Sequence, residues 1–275
     1  MIKSILFDLD GTLADTAPDL SNALNAVRLS YKLPKLPIET IRPTVSQGAG
    51  VMIKVGFGID EDDPEFDVIR EKFLNIYSDN IAEETNLFKG IEGVLKKLED
   101  DKKIWGIVTN KSSWLTIPLL KALSLDKRSA CIVCGDTTGY TKPHPAPIIH
   151  ACKQLKCDPV STLFIGDAER DIKAGIEAGT KTAVALYGYI NETDNQIAIT
   201  VELPGVIKED IDINVMEEKV EVNVKTESRK YFKSIDLNSP VETDSSKATY
   251  TNGILDLVLS KKESDESKGT KVKVD

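Results

Sequence analysis

Near residue 190 the hydrophobic period of the chain changes from a mixed strand and helix pattern to strict alternation, so two differently built domains must share it. Before that point, residues 2–7, 104–108, 130–134, 162–165 and 182–186 read as short buried strands. Between them run helical stripes with apolar residues three or four apart, such as Ile91, Val94, Leu95, Leu98 and Ile148, Ile149, Cys152, Leu155. Strand–helix alternation implies a Rossmann-like α/β fold, a parallel sheet with helices on both faces. Residues 17–86 interrupt it with helical patterns only, carrying the stripes Leu20, Leu24, Val27, Tyr31 and Phe66, Ile69, Phe73, Ile76. Pro18 behind Thr16 suits a helix start, where the missing N–H costs nothing. Such a block, inserted after the first strand at about 15–88, is expected to form a helical cap over the carboxyl ends of the strands, where ligands of parallel sheets bind.

After residue 193 the period is two. Ile197, Ile199, Val201 and Leu203 alternate with other residues up to Pro204-Gly205, and Ile211, Ile213, Val215 and Val220, Val222, Val224 flank a Glu217-Glu218 turn. Asn252-Gly253 between two apolar runs is a hairpin signal, since both residues tolerate positive φ. The expected fold is an all-β, immunoglobulin-like sandwich over 193–263. Residues 264–275 form a charged tail without core residues, expected to be disordered.

The 275 residues carry a net charge of −9, which argues against nucleic acid or an anionic membrane surface as a partner. No apolar run reaches the ~18–20 residues of a membrane span, and the start lacks the regions of a signal peptide, so a cytoplasmic location is expected. Cys131, Cys134, Cys152 and Cys157 have spacings that invite zinc, but their apolar surroundings favour buried thiols. His144, in a Pro-flanked loop, and His150, on a helix, read as structural.

The chemistry concentrates at strand ends. Asp8-Leu9-Asp10-Gly11-Thr12 follows the first strand, and paired carboxylates there suit Mg²⁺ with one oxygen free to attack phosphorus. Gly11 would let backbone N–H groups approach a phosphate. Thr109-Asn110 ends another strand and offers a hydroxyl to a phosphoryl oxygen. Lys142, stiffened by prolines at 143, 145 and 147, offers a point charge. Asp167 would complete a metal site, and Asp171, four residues on, would orient Lys142 or a metal-bound water.

These elements, in this order over residues 1–192, resemble the haloacid dehalogenase-like hydrolases. The resemblance implies that Asp8 is a nucleophile forming an aspartyl-phosphate and that Asp10 protonates the leaving oxygen and then activates water. It further implies that Thr109 and Lys142 hold the phosphoryl group, and that Mg²⁺ sits on Asp8, the Asp10 main-chain carbonyl and Asp167. The segments 8–16, 108–111, 142–145 and Tyr187-Gly188-Tyr189 are similar to the phosphoglycolate phosphatase group, and 104–107, Arg128-Ser129-Ala130 and Cys134 to its N-acetylmuramic acid 6-phosphate phosphatase branch. The implied partner is a small phosphorylated metabolite, with Gly11, Thr12, Asn110 and the cap residues Ser46 and Gln47 expected to contact it.

Residues 195–263 resemble the α-crystallin domain of small heat-shock proteins, in the archaeal-type version. The carriers are the segment 201–206, Lys208-Glu209-Asp210-Ile211 and the segment 248–255. That likeness implies self-association or binding of unfolded clients, and it supplies the alternative reading of the whole chain as a holdase with the first half as scaffold. Only six residues separate Val224 from Tyr231, too few for a long exchanged loop. Val272-Lys273-Val274 would be a degenerate tail anchor. The two halves meet without a Gly/Ser or Pro-rich linker, as in a fusion of unrelated pieces.

Overall fold

The computed structural model describes residues 2–189, 196–203, 205–225, 230–237, 239–251 and 253–262. Their contacts divide the chain into two compact units, 1–191 and 192–275. The junction at 190–195, Pro204, Asn252, the 264–275 tail and the anchor candidate Val272-Lys273-Val274 lie outside the described residues.

In the first unit, β1 (Ser4–Phe7) leads into β2 (Ala14–Asp15) and then into the cap: α1 (Ala17–Ser30), α2 (Ile38–Ile41), a 3₁₀ turn at Arg42–Gln47, α3 (Ala49–Phe57) and α4 (Phe66–Asp79). β3 (Asn86–Leu87) returns to pair antiparallel with β2, a two-residue ribbon at the neck of the cap that the helical pattern does not reveal. The cap has its own core, in which Leu24, Val27, Ile53, Phe73 and Tyr77 are buried. Asp19, buried in α1, accepts bonds from the Glu84 and Thr85 N–H groups at 2.9 Å and from Thr85 Oγ1 at 2.6 Å, closing the insertion at its far end.

The chain continues through α5 (Ile91–Asp100), β4 (Ile104–Val108), α6 (Ser113–Ala122), β5 (Ile132–Val133), α7 (Ala146–Leu155), β6 (Thr162–Gly166), α8 (Glu169–Glu177) and β7 (Lys181–Val184). The five main strands form a parallel sheet in the order β5-β4-β1-β6-β7, with β1 in the middle. β5 is shorter than the expected 130–134, although Ala130 N–H and Cys131 O still bond to the β4 backbone. One face of the sheet buries Phe7, Trp105 and Ile107 with α5 and α6, and the other buries Leu6, Val108 and Phe164 with α7 and α8. All four cysteines are free thiols, three of them buried.

The second unit comprises β8 (Gln196–Glu202), β9 (Ile211–Met216), β10 (Lys219–Lys225), β11 (Lys230–Asp236), β12 (Lys247–Thr251) and β13 (Ile254–Ser260). They make two antiparallel three-stranded sheets, β11-β10-β9 and β12-β13-β8. Val220, Val222 and Val224 alternate inward and share a core with Val201, Leu203, Leu255, Leu257 and Leu259. Gly253 takes φ +81° in the turn between β12 and β13.

Candidate active site

Because β4, β1 and β6 are neighbours, the residues just past their carboxyl ends, Thr109, Asp8 and Asp167, converge on one spot. All three are buried. Lys142 enters from the loop before α7 and is fully buried, with Nζ 2.9 Å from Asp8 Oδ1 and 2.7 Å from Asp171 Oδ1. The same ammonium donates to the Val108 carbonyl at 2.8 Å. Asp171 is fixed as well, since its Oδ2 accepts the Ala168 N–H that opens α8.

Asp10 points away from this group. Its Oδ1 accepts from Thr16 Oγ1 at 2.6 Å and from Lys111 Nζ at 2.8 Å, and Lys111 lies over the ring of Tyr77 in the cap. The two acids therefore titrate in opposite directions. Burial dominates at Asp8; Lys142 opposes it, Asp171 and Asp167 reinforce it, and the carboxyl is pushed up to about 7. Burial acts on Asp10 too, but the Lys111 charge and the bonds from Lys111 and Thr16 outweigh it and hold the carboxyl below the ordinary range. At Lys142, burial is outweighed by Asp8 and Asp171, so the ammonium is held charged.

A cavity of about 200 Å³ lies over these groups, between the cap and the sheet. Asp8, Asp10, Thr109 and Lys111 are at its core side, and Val45, Met52, Phe73 and Tyr77 at its cap side. Arg70 and Arg170 also line it.

Five residues expected to meet the substrate have other partners in the structure. The Gly11 N–H donates to Ala14 O; the glycine is required because φ is +80° and a Cβ would stand 2.2 Å from Asp167 Oδ2. Thr12 Oγ1 donates to Asp167 Oδ1 and Ser46 Oγ to Asp167 Oδ2. Asn110 uses both ends of its amide on the Lys142 backbone, at 2.8 and 2.9 Å, so it fixes the lysine loop. Gln47 lines the cavity, and its amide donates to Pro43 O. Thr109 Oγ1 accepts from Lys111 N–H, which leaves its own proton to point at a ligand.

Sequence reasoning includes Lys111 within the segment 108–111 but gives it no role. It misses Tyr77 and Arg70, whose place depends on how the cap folds back.

Asp8, Asp167 and Asp171 each offer an oxygen within 4.8 Å of the others. Three buried carboxylates against the single ammonium of Lys142 leave an excess of negative charge that burial penalises. Hard oxygen donors with that excess fit a divalent cation such as Mg²⁺.

Comparison with known proteins points the same way. Residues 5–185 match the family described as haloacid dehalogenase-like hydrolase, and residues 189–275 match the Hsp20/alpha crystallin family. The N-acetylmuramic acid 6-phosphate phosphatase of Pseudomonas aeruginosa is 42% identical over 194 residues, 70% of this chain and 86% of that protein. The phosphoglycolate phosphatase of Xanthomonas campestris pv. campestris is 35% identical over 206 residues, 74% of this chain and 93% of that one. A crystal structure of a predicted phosphoglycolate phosphatase from Haemophilus somnus superposes with a TM-score of 0.63 at 29% identity, over 69% of this chain and 88% of the other.

Proposed function

Because the chain belongs, through residues 5–185, to the haloacid dehalogenase-like hydrolases, we propose that its first unit is a Mg²⁺-dependent phosphatase of a small phosphorylated acid or sugar. The observation that carries this reading is the buried group of Asp8, Asp167, Asp171 and Lys142 under an apolar-walled cap. Asp8, the Asp10 main-chain carbonyl and Asp167 would hold Mg²⁺, which would offset the repulsion between these carboxylates and a phosphate dianion.

The phosphoryl group would sit against Asp8 and the Thr109 hydroxyl, with the buried Lys142 supplying its charge from behind Asp8. An Asp8 oxygen attacks phosphorus as the bond to the leaving oxygen breaks, giving an acyl phosphate on Asp8. Asp10 passes a proton to that leaving oxygen. Lys111 holds Asp10 charged while the cavity is free; a dianion entering opposite it offsets the lysine and favours the protonated form. Asp10 then takes a proton from water, whose oxygen attacks phosphorus and frees Asp8. The cap excludes competing water and selects the leaving group.

The relatives' names supply the substrates to test first, N-acetylmuramic acid 6-phosphate and 2-phosphoglycolate. Phosphate release by the full chain should be efficient with one of them and negligible with a folded phosphoprotein, which the enclosed cavity does not admit. Efficient dephosphorylation of the protein substrate would overturn the reading. The match of residues 189–275 supports a second role for the β-sandwich, self-association or holding unfolded clients. Suppression of client aggregation by the full chain, undiminished in Asp8→Asn, is the expected result.

A further inference from the structure

Tyr187-Gly188-Tyr189, just past the last strand of the parallel sheet, has no part in the chemistry above, yet it touches both the acid cluster and the cap. The Tyr189 N–H donates to Asp167 Oδ2 at 2.9 Å. Its ring is 4% exposed and belongs to the core of the cap, with Leu20, Val45 and Tyr77. Its hydroxyl accepts from the Ala17 N–H at 2.8 Å, where α1 begins, and donates to Asp15 Oδ1 at 2.7 Å. Arg42, in the 3₁₀ turn of the cap, clamps both Asp15 oxygens at 2.9 and 3.0 Å and covers the Tyr189 ring at 5.6 Å. Gly188 closes the fit: a Cβ there would stand 2.3 Å from Gly11 O and 2.4 Å from Asp167 Cβ.

We propose that Tyr189 is a positioning residue that ties the seating of the cap to the orientation of the Asp167 carboxylate, and so to cation binding. The inference rests on the metal reading above. A carboxylate oxygen has two lone-pair directions. On Asp167 Oδ2 both are taken, one by Tyr189 N–H and one by Ser46 Oγ of the cap at 2.6 Å. Among the described residues Oδ1 receives one such bond, from Thr12 Oγ1 at 3.2 Å, which leaves it a direction for a cation. Both bonds that hold Oδ2, and so leave Oδ1 to a cation, depend on the cap. One comes from the cap itself, and the other from a backbone anchored through a side chain embedded in it. With the cap unseated, Asp167 loses this orientation; a cation drawn to Oδ1 in turn favours the seated cap.

Tyr189→Phe in the full chain removes the hydroxyl and keeps the ring, so the cap core stays filled. Loss of outer contacts to a metal ligand weakens affinity by roughly 10–100-fold, and a loosened anchor belongs near the lower end, about tenfold. Calorimetric titration with Mg²⁺ reads this without turnover. The expected result is a weaker Mg²⁺ Kd with unchanged circular dichroism, and a raised Mg²⁺ half-saturation for p-nitrophenyl phosphate at nearly unchanged kcat. Arg42→Gln, at a partly exposed side chain, provides a second variant with the same direction and a smaller shift should Tyr189→Phe fail to fold. Wild-type Mg²⁺ affinity in a folded variant would overturn the inference and leave the phosphatase reading intact. A wild-type chain that binds no Mg²⁺ would overturn both.

Discussion

Every buried polar or charged side chain among the described residues lies between Ser4 and Thr180, whereas the buried side chains of the β-sandwich, from Val201 to Leu259, are all valine or leucine. The two units thus solve burial in opposite ways. Among its described residues the sandwich buries period-two aliphatic side chains and no charged one, which stabilises a fold and leaves any recognition to its surface. The parallel-sheet unit buries Asp8, Lys142, Asp167 and Asp171 together, an arrangement that costs free energy unless each group is partnered. Such a cluster beside the carboxyl ends of β1 and β6 is where the proposed chemistry would take place.

Substitutions should fall on one side or the other of this contrast. Asp8→Asn removes the proposed nucleophile, so phosphate release should drop at least ~10³-fold while circular dichroism is unchanged. Lys142→Ala should lower kcat/KM by about 10²-fold. It also leaves Asp8 and Asp171 facing each other without their ammonium, so urea unfolding of the first unit should show a loss of about 3–5 kcal/mol.

Acidity separates the units next. Asp8, pushed up to about 7, binds its proton more tightly folded than unfolded. In Mg²⁺-free protein this contributes stability that is complete below the unfolded value of 3.8 and is lost as pH rises through about 7. Between about pH 4 and pH 7 the melting temperature of the first unit should fall relative to Asp8→Asn, with no such trend for the sandwich. The smallest effect on turnover belongs to Leu257→Ala, which should cost the sandwich about 2–5 kcal/mol and leave phosphate release unaltered below its melting point. Loss of activity in that variant would mean that the sandwich takes part in the site.

What could be read from the sequence follows the same division. The alternation of strands and helices, the helical insertion and the period-two half are local patterns, and the structure contains all three. Asp8, Thr109, Lys142 and Asp167 are legible because each follows its own strand, and parallel neighbours bring strand ends together. The partners of these residues are not legible. Lys111 on Asp10 joins two strand ends, and Ser46 on Asp167 and Tyr189 between Asp15 and Asp167 join cap and sheet; the partners are separated by 101, 121 and 22 to 174 residues, and no periodicity encodes them. The donors of Gly11, Thr12 and Asn110 carry the right chemistry for a substrate, but the tight turn, Asp167 and the buried Lys142 loop respectively receive them in the structure. The α3 helix is obscured by Gly50, Gly56 and a short apolar stretch, and Gly56 serves instead to let Leu24 of α1 pack against it.

Release of p-nitrophenol from p-nitrophenyl phosphate by the full chain, with Mg²⁺ and after its removal by a chelator, tests most directly that the acid cluster of the first unit is a metal-dependent phosphoryl-transfer site. Turnover with Mg²⁺ that vanishes on chelation and returns on adding Mg²⁺ back is the predicted result. A folded chain that releases nothing, or releases product equally with and without Mg²⁺, would contradict it.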